Sequence, residues 1–113
     1  MYKVTTLLAI SAIAVSGCAK RPDAIAPVTA PAGAYQNLSC TQSQQERMRL
    51  GQSLAALEVQ QNNTATGDAI GVFLIGLPLG SVGGGDVAGQ IAAQKGQVQA
   101  LDMRLMSCRG DEQ

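Results

Sequence analysis

Two stretches of the chain place seam residues at intervals of three and four, the spacing of an amphipathic helix that packs along one face. The seam positions of the later stretch are Ile91, Gln94, Val98, Leu101, Leu105 and Cys108. Those of the earlier stretch are Cys40, Ser43, Arg47, Leu50, Leu54, Leu57 and Gln61. The earlier seam is apolar mainly at its centre. Together the two patterns predict a pair of helices that pack against each other.

The two predicted helices have similar lengths. The first begins after Ser39, which forms with Gln42 the S-x-x-Q pattern of a capping box, and it ends at Asn62-Asn63. The second begins near Asp86, a good N-cap residue, and ends near residue 109, before a glycine. At roughly 20 residues each, they would be about 30 Å long. Equal lengths favour an antiparallel helical hairpin, so the predicted fold class is all-α.

An apolar, glycine-rich segment over residues 67–86, termed the apolar tip, joins the two predicted helices. Its interior from Ala69 to Gly85 contains no charged residue. As one helix this interior would be about 25 Å long, which is short for a bilayer core, and Pro78 would kink it. Glycines 76, 80 and 84 recur every four residues, a spacing that allows close helix packing in membranes.

Two interpretations of the apolar tip stay open. In one, residues 70–79 insert into a bilayer or pack against copies of the same chain. In the other, they fold back over the helical seam as a buried cap, with the glycines at 83–85 forming the return turn. The residues expected to make the membrane or oligomer contact are Ile70, Val72, Phe73, Leu74, Ile75, Gly76, Leu77, Pro78, Leu79 and Gly80.

The N-terminus has the pattern of a secretory signal. Lys3 precedes an apolar run, Val4–Val15, that is too short for a spanning helix of about 20 residues. The run closes on Val15-Ser16-Gly17-Cys18, which resembles the lipobox of bacterial lipoproteins. The resemblance implies removal of residues 1–17, acylation of Cys18 by chains such as palmitate, and, since Ala19 is not the Asp of inner-membrane retention, a periplasm-facing position on the outer membrane. The alternative is an ordinary signal peptide followed by an incidental cysteine.

The three cysteines of the chain can be assigned on this basis. Acylation would consume the sulfur of Cys18 and leave an even pair. Cys40 lies in the first turn of one predicted helix and Cys108 in the last turn of the other, at ends that meet in a hairpin. The sequence therefore predicts a Cys40–Cys108 disulfide, worth about 4 kcal/mol in the chain-entropy treatment. Two reduced thiols are the alternative, which secretion disfavours.

The stretch between the predicted anchor and the first helix contains three spaced prolines and few charges, so it is expected to be an extended tether reaching about 3 Å per residue. The predicted organisation is a leader over residues 1–17, a lipidated tether over 18–38, a helical hairpin over 39–110 with the apolar tip at 67–86, and a polar tail over 111–113.

Composition argues against several classes of function. Without Lys3 in the leader, seven basic residues face eight acidic ones, so no basic surplus exists for binding nucleic acid. The chain has no histidine, and no serine, lysine or carboxylate stands in a recognisable catalytic or metal-binding spacing. We therefore expect no enzymatic activity, no cofactor and no metal.

The features from Ser39-Cys40 through Gly76-Leu77-Pro78 and Gly84-Gly85-Asp86 to Cys108 resemble a group of small, uncharacterised proteobacterial lipoproteins. These similarly pair a cysteine that opens one helix with a cysteine that closes another, around an apolar Gly/Pro segment. The resemblance implies this shape and no particular activity.

The expected function is that of a non-enzymatic cell-envelope lipoprotein. It would act through helix-helix or membrane contacts. The expected partners are the membrane, bound through the N-terminal lipid, and further copies of the same chain in a homo-oligomer. The alternative is a membrane-active factor, such as the outer-membrane partner of a phage lysis pair. The sequence names no protein partner.

Overall fold

A computed structural model describes residues 18–111, so the predicted leader, residues 15–17 of the lipobox and the last two residues lie outside the described part. Within these residues the chain forms a short 3₁₀ helix at Pro22–Ala24 and three α-helices, α1 at Cys40–Ile75, α2 at Leu79–Val82 and α3 at Ala88–Asp111. Helices α1 and α3 pack as an antiparallel hairpin, and the described range contains no strand. The predicted all-α hairpin is confirmed.

The seam that the sequence predicted is the surface along which α1 and α3 meet. Every predicted seam position on both helices is buried or half-buried, and Ile91 and Leu101 are completely buried. The capping box is also present, because the Ser39 hydroxyl accepts from the Gln42 N–H and the Gln42 side chain accepts from the Ser39 N–H. The heptad pattern therefore places the hairpin in its correct register.

The Cys40–Cys108 disulfide joins the two long helices at the end of the hairpin opposite the apolar tip. The two Cα atoms are 5.9 Å apart, and the bridge closes a separation of 68 residues. The predicted pairing is confirmed. Around the middle of the hairpin, Ile25, Val87 and Ile91 form a small core, against which Leu54 and Leu57 pack.

The predicted end of the first helix at Asn62-Asn63 is wrong. Helix α1 contains 36 residues and continues to Ile75, where Gly76 ends it in a left-handed conformation with φ of 75°. Both asparagines are exposed on its outer face, where their low helix propensity is outweighed by the burial of the opposite face. That face continues the seam through four small or polar residues, Gln61, Thr64, Asp68 and Gly71, all of them buried.

The two long helices are consequently unequal. Helix α3 has 24 residues and ends at Asp111, so Gly110 lies inside it rather than after it. Measured from the disulfide, α1 continues for 35 residues to Ile75 and α3 for 20 residues to Ala88, so at 1.5 Å per residue α1 extends past α3 by about 22 Å. This overhang is covered by α2 and by the start of the tether, which contact the buried face of α1 where α3 does not reach.

The tether does not hold the hairpin away from its N-terminus as an extended spacer. It runs along the hairpin from the tip end to the disulfide end. Three contacts mark its course: the Ala19 N–H donates to Asp68, the Val28 N–H donates to the Ala92 carbonyl at 2.9 Å, and Arg104 donates to the Leu38 carbonyl at 3.0 Å. The tether is extended only in part, because it contains the 3₁₀ helix at Pro22–Ala24 and consecutive turns over residues 32–37, and it is docked on the hairpin.

Lys95 and Gly96 on α3 hold the middle of the tether. The Lys95 ammonium donates to the carbonyl oxygens of Pro22 and Ile25, at 2.6 and 3.0 Å. One residue further, a Cβ atom on Gly96 would lie 1.6 Å from the carbonyl oxygen of Val28, so only glycine permits this close passage. Lys95 and Gly96 thus both hold the tether against α3, the lysine by hydrogen bonds and the glycine by its small size.

Candidate functional site

The apolar tip exposes an unusual concentration of large apolar side chains. Of the twelve large hydrophobic residues that are exposed in the described chain, seven lie between positions 70 and 82. They are Ile70, Phe73, Leu74, Ile75, Leu77, Leu79 and Val82. Phe73 is the most exposed of them, at 87%. Exposed apolar clusters are typical of surfaces that contact a membrane or another protein.

The alternative in which residues 70–79 form a buried cap over the seam is therefore wrong for the large apolar side chains. Among the expected contact residues, Val72, Pro78 and Gly80 are half-buried, and Gly76 is exposed like its apolar neighbours. The remaining members are exposed as well. Their role in membrane or oligomer contact stays a prediction, but their side chains are placed where such a contact needs them.

Two glycines explain how the chain turns back without burying these side chains. A Cβ atom on Gly80 would lie 2.4 Å from the Thr64 carbonyl oxygen, and one on Gly71 would lie 2.3 Å from the Leu77 carbonyl oxygen. Backbone therefore packs directly on backbone where α2 crosses the end of α1. The Leu79 side chain also lies on Gly71, 2.8 Å from such a Cβ, but it stays about half exposed, and Phe73, Leu74 and Ile75 remain exposed.

The predicted spacing of Gly76, Gly80 and Gly84 does not describe a helix-packing face. Gly76 and Gly84 both adopt left-handed conformations, with φ of 75° and 79°, and a Cβ on either would meet nothing within 4 Å. Gly80 alone makes a close approach. The three glycines recur at intervals of four because two turns and one contact happen to be four residues apart.

A buried carboxylate, Asp68, ties the base of the apolar tip to the tether. Its oxygens accept from the Ala19 N–H at 2.6 Å and from the Ser81 N–H at 2.7 Å, and they also accept from the Ser81 hydroxyl. We term this arrangement the polar clasp. Burial alone would raise the pKa of Asp68, but hydrogen bonds from Ser81 and from the Ala19 and Gly80 backbone together lower it below its usual value of 3.8. The carboxylate is therefore ionised at neutral pH.

Gln61 makes a second polar connection, about two helical turns further from the apolar tip. Its completely buried side chain donates to the Lys20 carbonyl at 2.8 Å and to the Asp86 carboxylate at 3.1 Å, and it accepts from the Val87 N–H at 2.7 Å. One amide thus joins the tether, α1 and the start of α3. Asp86 also accepts from the Ala88 N–H, as expected of a residue that begins a helix.

Cys18 lies next to the polar clasp, at the same end of the hairpin as the apolar tip. It directly precedes Ala19, whose backbone N–H is bound to Asp68. The two basic residues that follow, Lys20 and Arg21, have exposed side chains, and the Arg21 guanidinium donates to the Asn62 side chain at 2.6 Å. The predicted lipid attachment point therefore lies at the base of the apolar tip, and the two basic residues lie about two helical turns further from the tip, beside Gln61 and Asn62.

Sequence reasoning missed the residues that create this arrangement. In the sequence, Asp68 directly precedes the uncharged run of the apolar tip, and Gln61 is the last predicted seam position. One signal was available: Gln61, Thr64, Asp68 and Gly71 continue the heptad spacing of the first helix. A polar seam gives no hydrophobic period, so the continuation was not recognised.

Two ion pairs lie nearer the disulfide end of the hairpin, far from the apolar tip. Arg47 pairs with Asp102 across the two helices at 2.7 Å, with both side chains more than one-third exposed. Arg49 pairs with Glu46 one turn earlier on the same helix, and this hydrogen bond lowers the pKa of Glu46. Such exposed pairs contribute little to stability.

None of the helices within residues 18–111 is both long and apolar enough to cross a membrane. In the same part of the chain, no cluster of three or more histidine, cysteine or acidic residues is placed to hold a metal ion. Comparison with known protein families, with curated proteins and with solved structures finds no match to this chain.

Proposed function

We propose that this protein is a non-enzymatic lipoprotein of the bacterial cell envelope, anchored through acylated Cys18 and acting through contacts of its apolar tip. The observation that carries the proposal is the clustering of seven exposed apolar side chains at one end of the molecule. A soluble protein without a partner for this surface would risk aggregation. The lipobox pattern before Cys18 and the resemblance to proteobacterial lipoproteins support a location in the cell envelope.

The polar clasp supports the same proposal. The atom of Ala19 that it uses is a backbone amide, which signal cleavage and acylation at Cys18 leave unchanged. The fold is thus compatible with a mature protein that begins at Cys18. The disulfide fits an oxidising compartment such as the periplasm, where structural disulfides form and persist.

Mass spectrometry of the N-terminal peptide, isolated under non-reducing conditions from cell membranes, tests the anchor. The expected peptide begins at Cys18 and carries the mass of a diacylglycerol and a further acyl chain. The matched control is Cys18→Ser, which should leave the hairpin and its disulfide intact but release the protein from the membrane fraction. An unmodified Cys18 in wild-type protein would show that the anchor is wrong.

Site-specific photo-crosslinking tests the contact surface. A photoreactive residue at Phe73 should crosslink to lipid or to another protein, whereas the same residue at exposed Met48, near the disulfide end, should not. Equal crosslinking at both positions would remove the argument from the apolar tip.

A membrane-active role, such as that of an outer-membrane partner in a phage lysis pair, is the second candidate, because an exposed apolar tip also suits entry into another bilayer. This role predicts that induced expression lyses cells and that a charged substitution at Leu74 or Ile75 prevents lysis. Harmless overexpression favours the first candidate.

A further inference from the structure

We infer that the apolar tip enters the same membrane leaflet that holds the acyl chains of Cys18, so that lipid and tip form one two-part contact. The inference rests on the proposed function, since it takes Cys18 to be the acylated N-terminus. The partner of the tip is then the anchoring bilayer itself. The experiment must distinguish this bilayer from two other possible partners of the tip, a second bilayer and a second copy of the chain.

The polar clasp holds the anchor next to the base of the tip. The Ala19 N–H is 2.6 Å from the Asp68 carboxylate, and Cys18 is the residue directly before it. Consecutive Cα atoms are about 3.8 Å apart, so acyl chains on Cys18 start beside Asp68. A tether of twenty residues could have separated lipid from tip, but in this structure the tether follows the clasp and leads away from the tip.

The depth of the tip below the anchor fits insertion into an interface. From Asp68 to the end of α1 at Ile75 there are seven helical steps, or about 10 Å along the axis. Amphipathic segments at a membrane surface bury their apolar faces about 5–10 Å into the boundary of headgroups and acyl chains. With Cys18 at the level of the headgroups, the exposed side chains of Phe73, Leu74 and Ile75 reach this boundary.

The distribution of charge supports the same orientation. No charged residue lies between Ala69 and Gly85, and the Asp68 carboxylate is completely buried and hydrogen-bonded, so it does not face lipid. The exposed side chains of Lys20 and Arg21 lie directly after the anchor, where anionic headgroups would meet them. The surface is thus apolar on the tip side of Cys18 and carries two cations on the side away from the tip.

Insertion into a second bilayer would require a different structure. With lipid and tip at one end, the tip could face away from the anchoring membrane only if Ala19 left Asp68 and the tether detached from Ala92 and Lys95. The contacts that fix the tether therefore favour the anchoring leaflet.

A single tryptophan reports the position of the tip, because the natural chain contains none. The lipidated protein carrying Phe73→Trp is reconstituted into vesicles of phosphatidylethanolamine and phosphatidylglycerol, with brominated acyl chains as quencher. We expect strong quenching and a blue-shifted emission. The control is Met48→Trp, which is exposed on the same helix about 37 Å away and should show neither effect. Adding Leu74→Asp to the Phe73→Trp protein should abolish the quenching.

The vesicle that carries the brominated lipids shows which partner the tip contacts. Quenching should occur when the brominated lipids are in the anchoring vesicles and should be absent when they are only in added acceptor vesicles. Quenching by acceptor vesicles alone, or a blue shift without lipid quenching in crosslinked oligomers, would overturn the inference. The mass of the N-terminal peptide is measured on the same sample. An acylated Cys18 with an unquenched tip refutes this inference alone, whereas a non-acylated Cys18 refutes the proposed anchor and the inference together.

Discussion

Adding one methyl group at Gly96 tests whether the tether is docked on α3. An ideal Cβ at this position would lie 1.6 Å from the Val28 carbonyl oxygen and 2.7 Å from the Val28 carbonyl carbon. Ordinary contact begins at 3.4 Å, so the tether must retreat by about 1.8 Å. A retreat of this size breaks the hydrogen bond from the Val28 N–H to the Ala92 carbonyl, which now measures 2.9 Å.

The expected change in global stability is small because two effects oppose each other. Losing the Val28 hydrogen bond costs about 1 kcal/mol. Alanine stabilises a helix interior by about 1 kcal/mol relative to glycine. Gly96→Ala should therefore leave the free energy of unfolding nearly unchanged. The control is Gly89→Ala, on the same helix and with nothing within 4 Å of the added Cβ, which keeps only the favourable effect and should gain up to about 1 kcal/mol.

Amide hydrogen exchange measured by NMR, together with circular dichroism, distinguishes the two variants. In Gly96→Ala the Val28 amide should exchange as fast as an unprotected amide, while helix content and the protection of Ile91 and Leu101 are retained. In Gly89→Ala the Val28 amide should stay protected. A Val28 amide that is equally protected in Gly96→Ala and in the natural protein would show that the tether does not pass over Gly96.

Three further predictions concern the two ends of the hairpin. Replacing Cys40 and Cys108 with alanine should lower the free energy of unfolding by about 4 kcal/mol in urea titrations, and reducing agent should then have no added effect on the variant; equal stability of both proteins would contradict the chain-entropy argument. Because the folded-state pKa of Asp68 is depressed, its ionisation stabilises the fold above pH 3.8, and this stabilisation should be lost as the pH falls through the lower folded pKa. In thermal melts from pH 6 to pH 2, the melting temperature of Asp68→Asn should therefore fall less with decreasing pH than that of the natural protein. An equal fall in both proteins would exclude Asp68 as the cause. Gly80→Ala should displace α2 and expose the amide of residue 81 to exchange, whereas Gly83→Ala, whose nearest neighbour is 3.4 Å away, should not; identical exchange in both variants would refute the close packing.

The hairpin and its disulfide could be predicted because both follow from local rules. Apolar residues such as Leu50, Leu101 and Ile91 repeat with the helical period, and the capping box marks one helix start without reference to the rest of the fold. Once the seam was known, Cys40 and Cys108 fell at ends that meet. Short-range patterns were sufficient for this part of the molecule.

The overhang of α1 and the docked tether could not be predicted in the same way, because polar contacts between distant residues create them. Asp68 is buried only because Ala19 and Ser81 supply donors from 49 and 13 residues away. Nothing in the local sequence separates such an aspartate from a solvated one. The isolated Gly96 within a helical pattern was the one available hint that backbone passes close by.

Because α1 is longer than α3, a single helix connects the disulfide end of the molecule to the apolar tip. Helix α1 spans about 54 Å from the disulfide to the apolar tip. If the apolar tip is in lipid and Cys18 is at the headgroups, a partner that binds the disulfide end meets it about 42 Å above the bilayer surface, which is the length of α1 from Asp68 to Cys40. A force that the partner applies to the disulfide end is then transmitted to the lipid along α1, which is continuous from one end to the other.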